Sequence, residues 1–147
     1  MNNPPARWTV DANIILRYLL ADNKELTAQA DAVLQAVADG EVTAECDPVT
    51  LAEVVFVLSS NYKMPNGEIA EGLISLFTRE GLQVANKQRY LHALELFAGP
   101  VRHFGDACAC AAALEQSEGR LFSFDRKLSS VPGITRSQNL TSPDKPG

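Results

Sequence analysis

Apolar residues recur along this chain at two periods. Leu26, Ala30, Val33, Leu34 and Val37 fall at i, i+4, i+7, i+8 and i+11, one face of an amphipathic helix that Gly40 stops. Ile69, Leu73, Leu76 and Phe77 mark a second such helix after the turn at residues 63–67. Tyr90, Ala93, Leu94 and Phe97 mark a third, which Gly99-Pro100 ends. Residues 14–20 are apolar almost all round, apart from Arg17, and predict a buried helix. The valines of residues 49–58 favour a strand, but Asp47-Pro48 is a good N-cap and first-turn pair and decides for helix. Gly105-Asp106 opens a last helix of very small residues, from Ala107 to about Leu114.

Short strand-like runs lie between these helices. They are residues 7–10, ending at Asp11, then 42–44, 82–84, 121–124, ending at Asp125, and a last one starting at Ile134. The alternation predicts an α/β fold: a short parallel sheet of about four or five strands with helices on both faces. Right-handed crossovers would gather the C-terminal ends of the strands on one edge, where sites form in open α/β sheets.

The 147 residues are the length of one domain. We place it at residues 7–136, between a flexible start (1–6) and a flexible tail (137–147). With 46% hydrophobic and 21% charged residues, disorder, collagen and coiled coil are excluded for the chain as a whole. No apolar run reaches the roughly 20 residues of a membrane span, and the first residues lack a signal peptide's charged and apolar regions. The expectation is a cytoplasmic protein without a membrane. Cys46, Cys108 and Cys110 have no zinc-site spacing and read as small buried hydrophobes.

Charge is unevenly spread. Residues 1–81 hold twelve acids against five bases, whereas residues 82–140 hold five against seven; the whole chain sums to −5. Such a chain is a poor nucleic-acid binder unless some of its carboxylates sit on metal ions.

Four carboxylates stand out. Asp11 and Asp125 end strands, Asp106 lies in the first turn of the small-residue helix, and Glu53 sits in an apolar run where burial would be costly. Converging on one cleft, they would repel one another unless divalent cations intervened. Carboxylate oxygens select Mg²⁺ or Mn²⁺, and with His103 the only nearby histidine, zinc is disfavoured. Two such ions can activate a water and stabilise the leaving oxygen of a phosphodiester. They would also bring the formal charge from −5 to −1. Simpler roles exist for each acid alone: Asp11 as a helix cap, Asp106 as a partner of the helix dipole, Asp125 as a turn residue. Arg17, Arg102, His103, Arg126 and Lys127 are candidates for nucleic-acid phosphates, or else a solvated surface; Arg126-Lys127 is best placed, beside Asp125.

The stretch Val10-Asp11-Ala12-Asn13-Ile14-Ile15-Leu16-Arg17 resembles the opening motif of PIN-domain proteins, above all the VapC toxins of toxin–antitoxin pairs. Leu51-Ala52-Glu53-Val54, Gly105-Asp106-Ala107 and Ser123-Phe124-Asp125-Arg126-Lys127-Leu128 resemble the internal, third and fourth motifs, in order. Residues 60–77 are also VapC-like, so the resemblance covers roughly residues 7–136. It implies a Mg²⁺-dependent endoribonuclease, usually a homodimer, inhibited by a partner antitoxin. It makes Asp11, Glu53, Asp106 and Asp125 metal ligands or water activators, with Asn13 and Ser123 in support. Two alternatives stay open. One is a receiver-like phospho-accepting domain using Asp47, Ser123 and Lys127. The other is a non-catalytic PIN scaffold.

Overall fold

The computed structural model describes residues 3–140, which divide after Lys87 into two compact units. Of the loose ends expected at residues 1–6 and 137–147, residues 1–2 and 141–147 lie outside the described residues, while Ala6 already belongs to a first strand and Ser137 to a last one.

The first unit is built on a three-stranded parallel sheet. Its strands are β1 (Ala6–Thr9), β2 (Val42–Cys46) and β3 (Gln83–Val84), in that spatial order. Trp8 pairs with Ala44 and Cys46 with Val84. Helices α1 (Ala12–Leu20) and α2 (Lys24–Ala38) connect β1 to β2; α3 (Pro48–Ser60) and α4 (Asn66–Thr78) connect β2 to β3. Asp11 and Asp47-Pro48 act as the caps read from the sequence, and Asn23 is a further one. Asp11 Oδ1 accepts from the Ile14 amide at 3.2 Å, Asn23 Oδ1 from Leu26 at 3.0 Å, and Asp47 Oδ2 from Val49 at 2.8 Å, with Pro48 in the first turn. Gly40, at φ +78°, closes α2 in the left-handed conformation a glycine adopts without penalty. Ile15, Leu34, Leu51, Leu58, Leu73 and Leu76 are fully buried.

Two details differ from expectation. Helix α1 is amphipathic rather than buried all round: Ile15 and Leu16 are buried, while Tyr18, Leu19 and Leu20 are only half-buried. The expected turn ends early, because Asn66-Gly67 already belongs to α4, and Pro65 starts that helix as its N-cap residue.

The second unit holds α5 (Lys87–Ala98, from its second residue), α6 (Phe104–Gln116), β4 (Arg120–Phe122) and β5 (Thr135–Ser137). β4 and β5 form a two-stranded parallel sheet, with Leu121 opposite Arg136. A 3-10 turn, Arg126–Ser130, lies between them. The small residues of α6 face inward: Ala107, Cys110, Ala111 and Ala113 are buried, and α6 packs against β4. The Phe97 and Phe104 rings meet edge-on, 5.6 Å between centroids. β4 stops at Phe122, not Phe124, so Asp125 sits in a loop beyond the strand end. The Ser123 carbonyl has turned out of the ladder to meet Arg136.

Over the described residues the fold is thus α/β, with six α-helices and five parallel strands, three in one unit and two in the other. Among the described residues no helix is long and apolar enough to cross a membrane.

Candidate nuclease site residues

In the first unit, Asp11 follows the C-terminal end of β1 and caps α1. Its Oδ1 accepts from the Ile14 amide, and the residue is exposed. Asn13 is exposed and makes no hydrogen bond among the described residues, so the carboxylate is oriented by backbone rather than by the Asn13 amide. Asp11 and Asn13 line a cleft of about 770 Å³ with Trp8, Val10, Ile14 and Val33.

Glu53 stands on α3, and α3 packs against α1, the helix that Asp11 caps. The apolar run around Glu53 proves to be two faces of one helix. Leu51, Val54, Val55 and Leu58 are buried, whereas Val49, Ala52, Glu53 and Phe56 are exposed. Glu53 therefore pays no burial penalty, and the cost anticipated from its apolar neighbours does not arise. Arg17 pairs with Asp22 at 3.1 Å, an intramolecular partner that an RNA phosphate would have to displace.

In the second unit, Asp106 lies half-buried in the first turn of α6 and makes no hydrogen bond among the described residues. Asp125 is exposed in the loop after β4. Ser123 Oγ accepts from the Asp125 amide at 3.0 Å, and Asp125 Oδ1 accepts from the Lys127 amide at 3.0 Å. Ser123 thus orients Asp125 through its backbone. The two carboxylates share a neighbourhood: the charges of Asp106 and Asp125 both help burial push the Cys110 thiol up. Burial likewise pushes Cys46 and Cys108 up to about 11. All three cysteines are free, Cys46 and Cys110 buried and Cys108 half-buried, in line with the reading of them as small hydrophobes. Arg126 and Lys127 are exposed beside Asp125 and make no ion pair among the described residues; Arg102 and His103, just ahead of α6, are exposed too.

One residue escaped the sequence reading. Arg136 on β5 is 5% exposed, and its guanidinium donates from Nη1 to the Ser123 carbonyl at 2.7 Å and from Nε to Ser129 Oγ at 2.9 Å. Nothing in the local sequence marks it, since an arginine in a short strand is ordinarily exposed.

Among the described residues no three His, Cys, Asp or Glu side chains form a group that holds a metal by itself. The donor set nonetheless suits Mg²⁺, which is commonly bound through one or two carboxylates, completed by waters and substrate phosphate. Asp106 and Asp125 offer hard oxygens with no ion-pair partner among the described residues.

The sequence matches the PIN domain family over residues 9–134, a span that contains Asp11, Glu53, Asp106 and Asp125. No curated protein matches it significantly. Proteins of this family are generally nucleases that use divalent metal ions and act on nucleic acids. The receiver-like alternative gains no support, and Asp47, its acceptor, serves as the N-cap of α3. Matched over most of its length, the chain belongs to the PIN domain family.

Proposed function

We propose that this protein is a Mg²⁺-dependent endoribonuclease of the VapC kind, the toxin of a toxin–antitoxin pair acting in the cytoplasm. Asp11, Glu53, Asp106 and Asp125 carry the chemistry as metal ligands or water activators, and Mn²⁺ substitutes for Mg²⁺. When bound, the metal supplies an activated water and stabilises the leaving oxygen of the phosphodiester. The chain's own residues do the rest. Asp11 and Asp125 each hold one carboxylate oxygen against a backbone amide and leave the other available. Ser123 fixes the Asp125 backbone. Arg126 and Lys127 attract the RNA backbone next to Asp125. General-base duty is assigned to no single one of the four acids. The substrate is single-stranded or looped RNA, whose backbone is accessible. A partner antitoxin blocks the enzyme, which works as a homodimer.

The observation that carries this reading is the family match together with all four acidic positions being filled. The scaffold alternative requires those four acids to be idle. The test incubates antitoxin-free protein with total cellular RNA and Mg²⁺ or Mn²⁺, and maps new 5′ ends by sequencing. Discrete ends that vanish with EDTA and with Asp106→Asn establish the nuclease and name its target. Folded, metal-bound protein that makes no new ends favours the scaffold. Ends that survive Asp106→Asn refute the assignment of the site.

A further inference from the structure

A buried guanidinium is expensive, and proteins keep one only where its hydrogen bonds are met. Arg136 is such a group, 5% exposed. Both of its bonds described above reach the segment between β4 and β5. Nη1 grips the Ser123 carbonyl at 2.7 Å and Nε grips Ser129 Oγ at 2.9 Å. Asp125 lies between those two anchors, two residues after one and four before the other. Each anchor also belongs to the network that shapes the segment. The Ser123 amide donates to the Ser137 carbonyl at 3.0 Å, and its hydroxyl receives the Asp125 amide. Ser129 sits in the 3-10 turn whose first amides are ordered by Asp125: Lys127 to its side chain, Leu128 to its carbonyl at 3.2 Å. The guanidinium, fixed by its strand, therefore clamps the 123–129 loop on both sides of one exposed carboxylate.

We propose that Arg136 is a positioning residue for Asp125, holding its loop from both ends so that the carboxylate is presented to a divalent cation. This rests on the nuclease reading above. A planar fork with donors in fixed directions can make both grips at once, and a lysine ammonium of different reach cannot reproduce them. Groups that orient a metal ligand without touching the metal change metal affinity by about 10–100-fold when altered.

The experiment compares wild-type protein, Arg136→Lys and Ser129→Ala, each as the full chain. Mn²⁺ binding is measured by electron paramagnetic resonance, and amide hydrogen exchange across residues 123–129 is measured without metal. Arg136→Lys is expected to bind Mn²⁺ about tenfold more weakly or worse. Its loop amides exchange faster, and cleavage recovers toward wild type at saturating Mn²⁺, a recovery that general loss of structure would not give. Ser129→Ala, which leaves the Ser123 grip intact, shifts affinity in the same direction by less. Wild-type protein that binds Mn²⁺ while Arg136→Lys binds it equally tightly overturns the proposal and leaves the nuclease reading standing. Wild-type protein that binds no Mn²⁺ overturns both. Should Arg136→Lys not fold, Ser129→Ala decides: unchanged Mn²⁺ affinity and loop exchange overturn the positioning role.

Discussion

The carbonyl oxygen of Gly133 occupies the space that a side chain on Gly119 would need: a β-carbon there would lie 1.9 Å from it. Gly119 leads into β4 and Gly133 precedes β5, so the two backbones approach closely at the start of the β4–β5 pair. The Thr135 amide donates to the Gly119 carbonyl at 2.8 Å across the same gap. Both glycines have positive φ, +81° and +83°.

Gly119→Ala is accordingly expected to be among the most damaging single-methyl changes in the chain. Left-handed strain costs on the order of 1–3 kcal/mol, and the clash is with backbone, which cannot swing aside. A loss of at least ~2 kcal/mol is expected from the urea midpoint. Gly133→Ala should be milder. Its nearest obstacle is the end of the Leu114 side chain, at 2.8 Å, which can change rotamer. Equal losses for the two variants would contradict this ranking.

A second prediction concerns α5 and α6. Arg89 meets Glu115 with two hydrogen bonds, Nε to Oε2 at 3.2 Å and Nη2 to Oε1 at 2.9 Å. Hydrogen bonding to Arg89 holds the Glu115 carboxyl below its ordinary value. A carboxyl whose pKa is depressed by folding stabilises the fold above its unfolded pKa, and that contribution disappears as pH falls through the folded pKa. Glu115→Gln should therefore be less stable than wild type at neutral pH, and the two should converge on acidification. Added salt should narrow the gap at neutral pH, because the pair is at the surface. Denaturant melts across pH and ionic strength test both trends.

Much of this architecture is legible in the sequence, for identifiable reasons. Helices of the first unit are legible where an apolar period or a cap marks them: Leu26 to Val37 for α2, Asp47-Pro48 for α3. The PIN-like motifs are legible because they are local strings around each acid. Glu53 shows where local reading stops. Its neighbours in sequence are apolar, yet half of them lie on the exposed face, a fact decided by what packs on α3 and not by composition. Arg136 is hidden for a similar reason. Its partners are seven and thirteen residues away, on the far side of a loop, and only the folded β4–β5 pair brings them to it. The 3-10 turn after Asp125 is likewise hidden, because five residues are too few to show a helical period.

The cysteines give a third prediction. Burial raises the Cys108 thiol to about 11, and burial with the Asp47 and Glu45 charges does the same for Cys46. The thiolate is the reactive form, so both should alkylate slowly at neutral pH. The half-buried Cys108 should speed up about tenfold per pH unit until its pKa is approached, as its thiolate fraction grows. Cys46, which is 2% exposed, should lag behind it at every pH because access also limits it. Mass spectrometry after timed iodoacetamide exposure distinguishes the sites. Rapid labelling of Cys46 at neutral pH would contradict its burial.

The last prediction separates the cap role that Asp11 fills from the metal-ligand role proposed for it. As a cap, Asp11 needs only a side-chain oxygen facing the Ile14 amide, and asparagine supplies that as well as aspartate does. As a metal ligand it needs the negative charge, which asparagine lacks. Asp11→Asn should thus keep the stability of wild type within about 0.5 kcal/mol, whereas Asp11→Ala should lose about 1 kcal/mol with the cap. Cleavage of RNA should fall in both variants by about 10²-fold or more. Activity that follows stability, retained in Asp11→Asn and reduced in Asp11→Ala, would show that Asp11 is a cap and nothing further. Loss of activity in a fully stable Asp11→Asn would tie the charge itself to the chemistry, which no contact in the first unit otherwise requires.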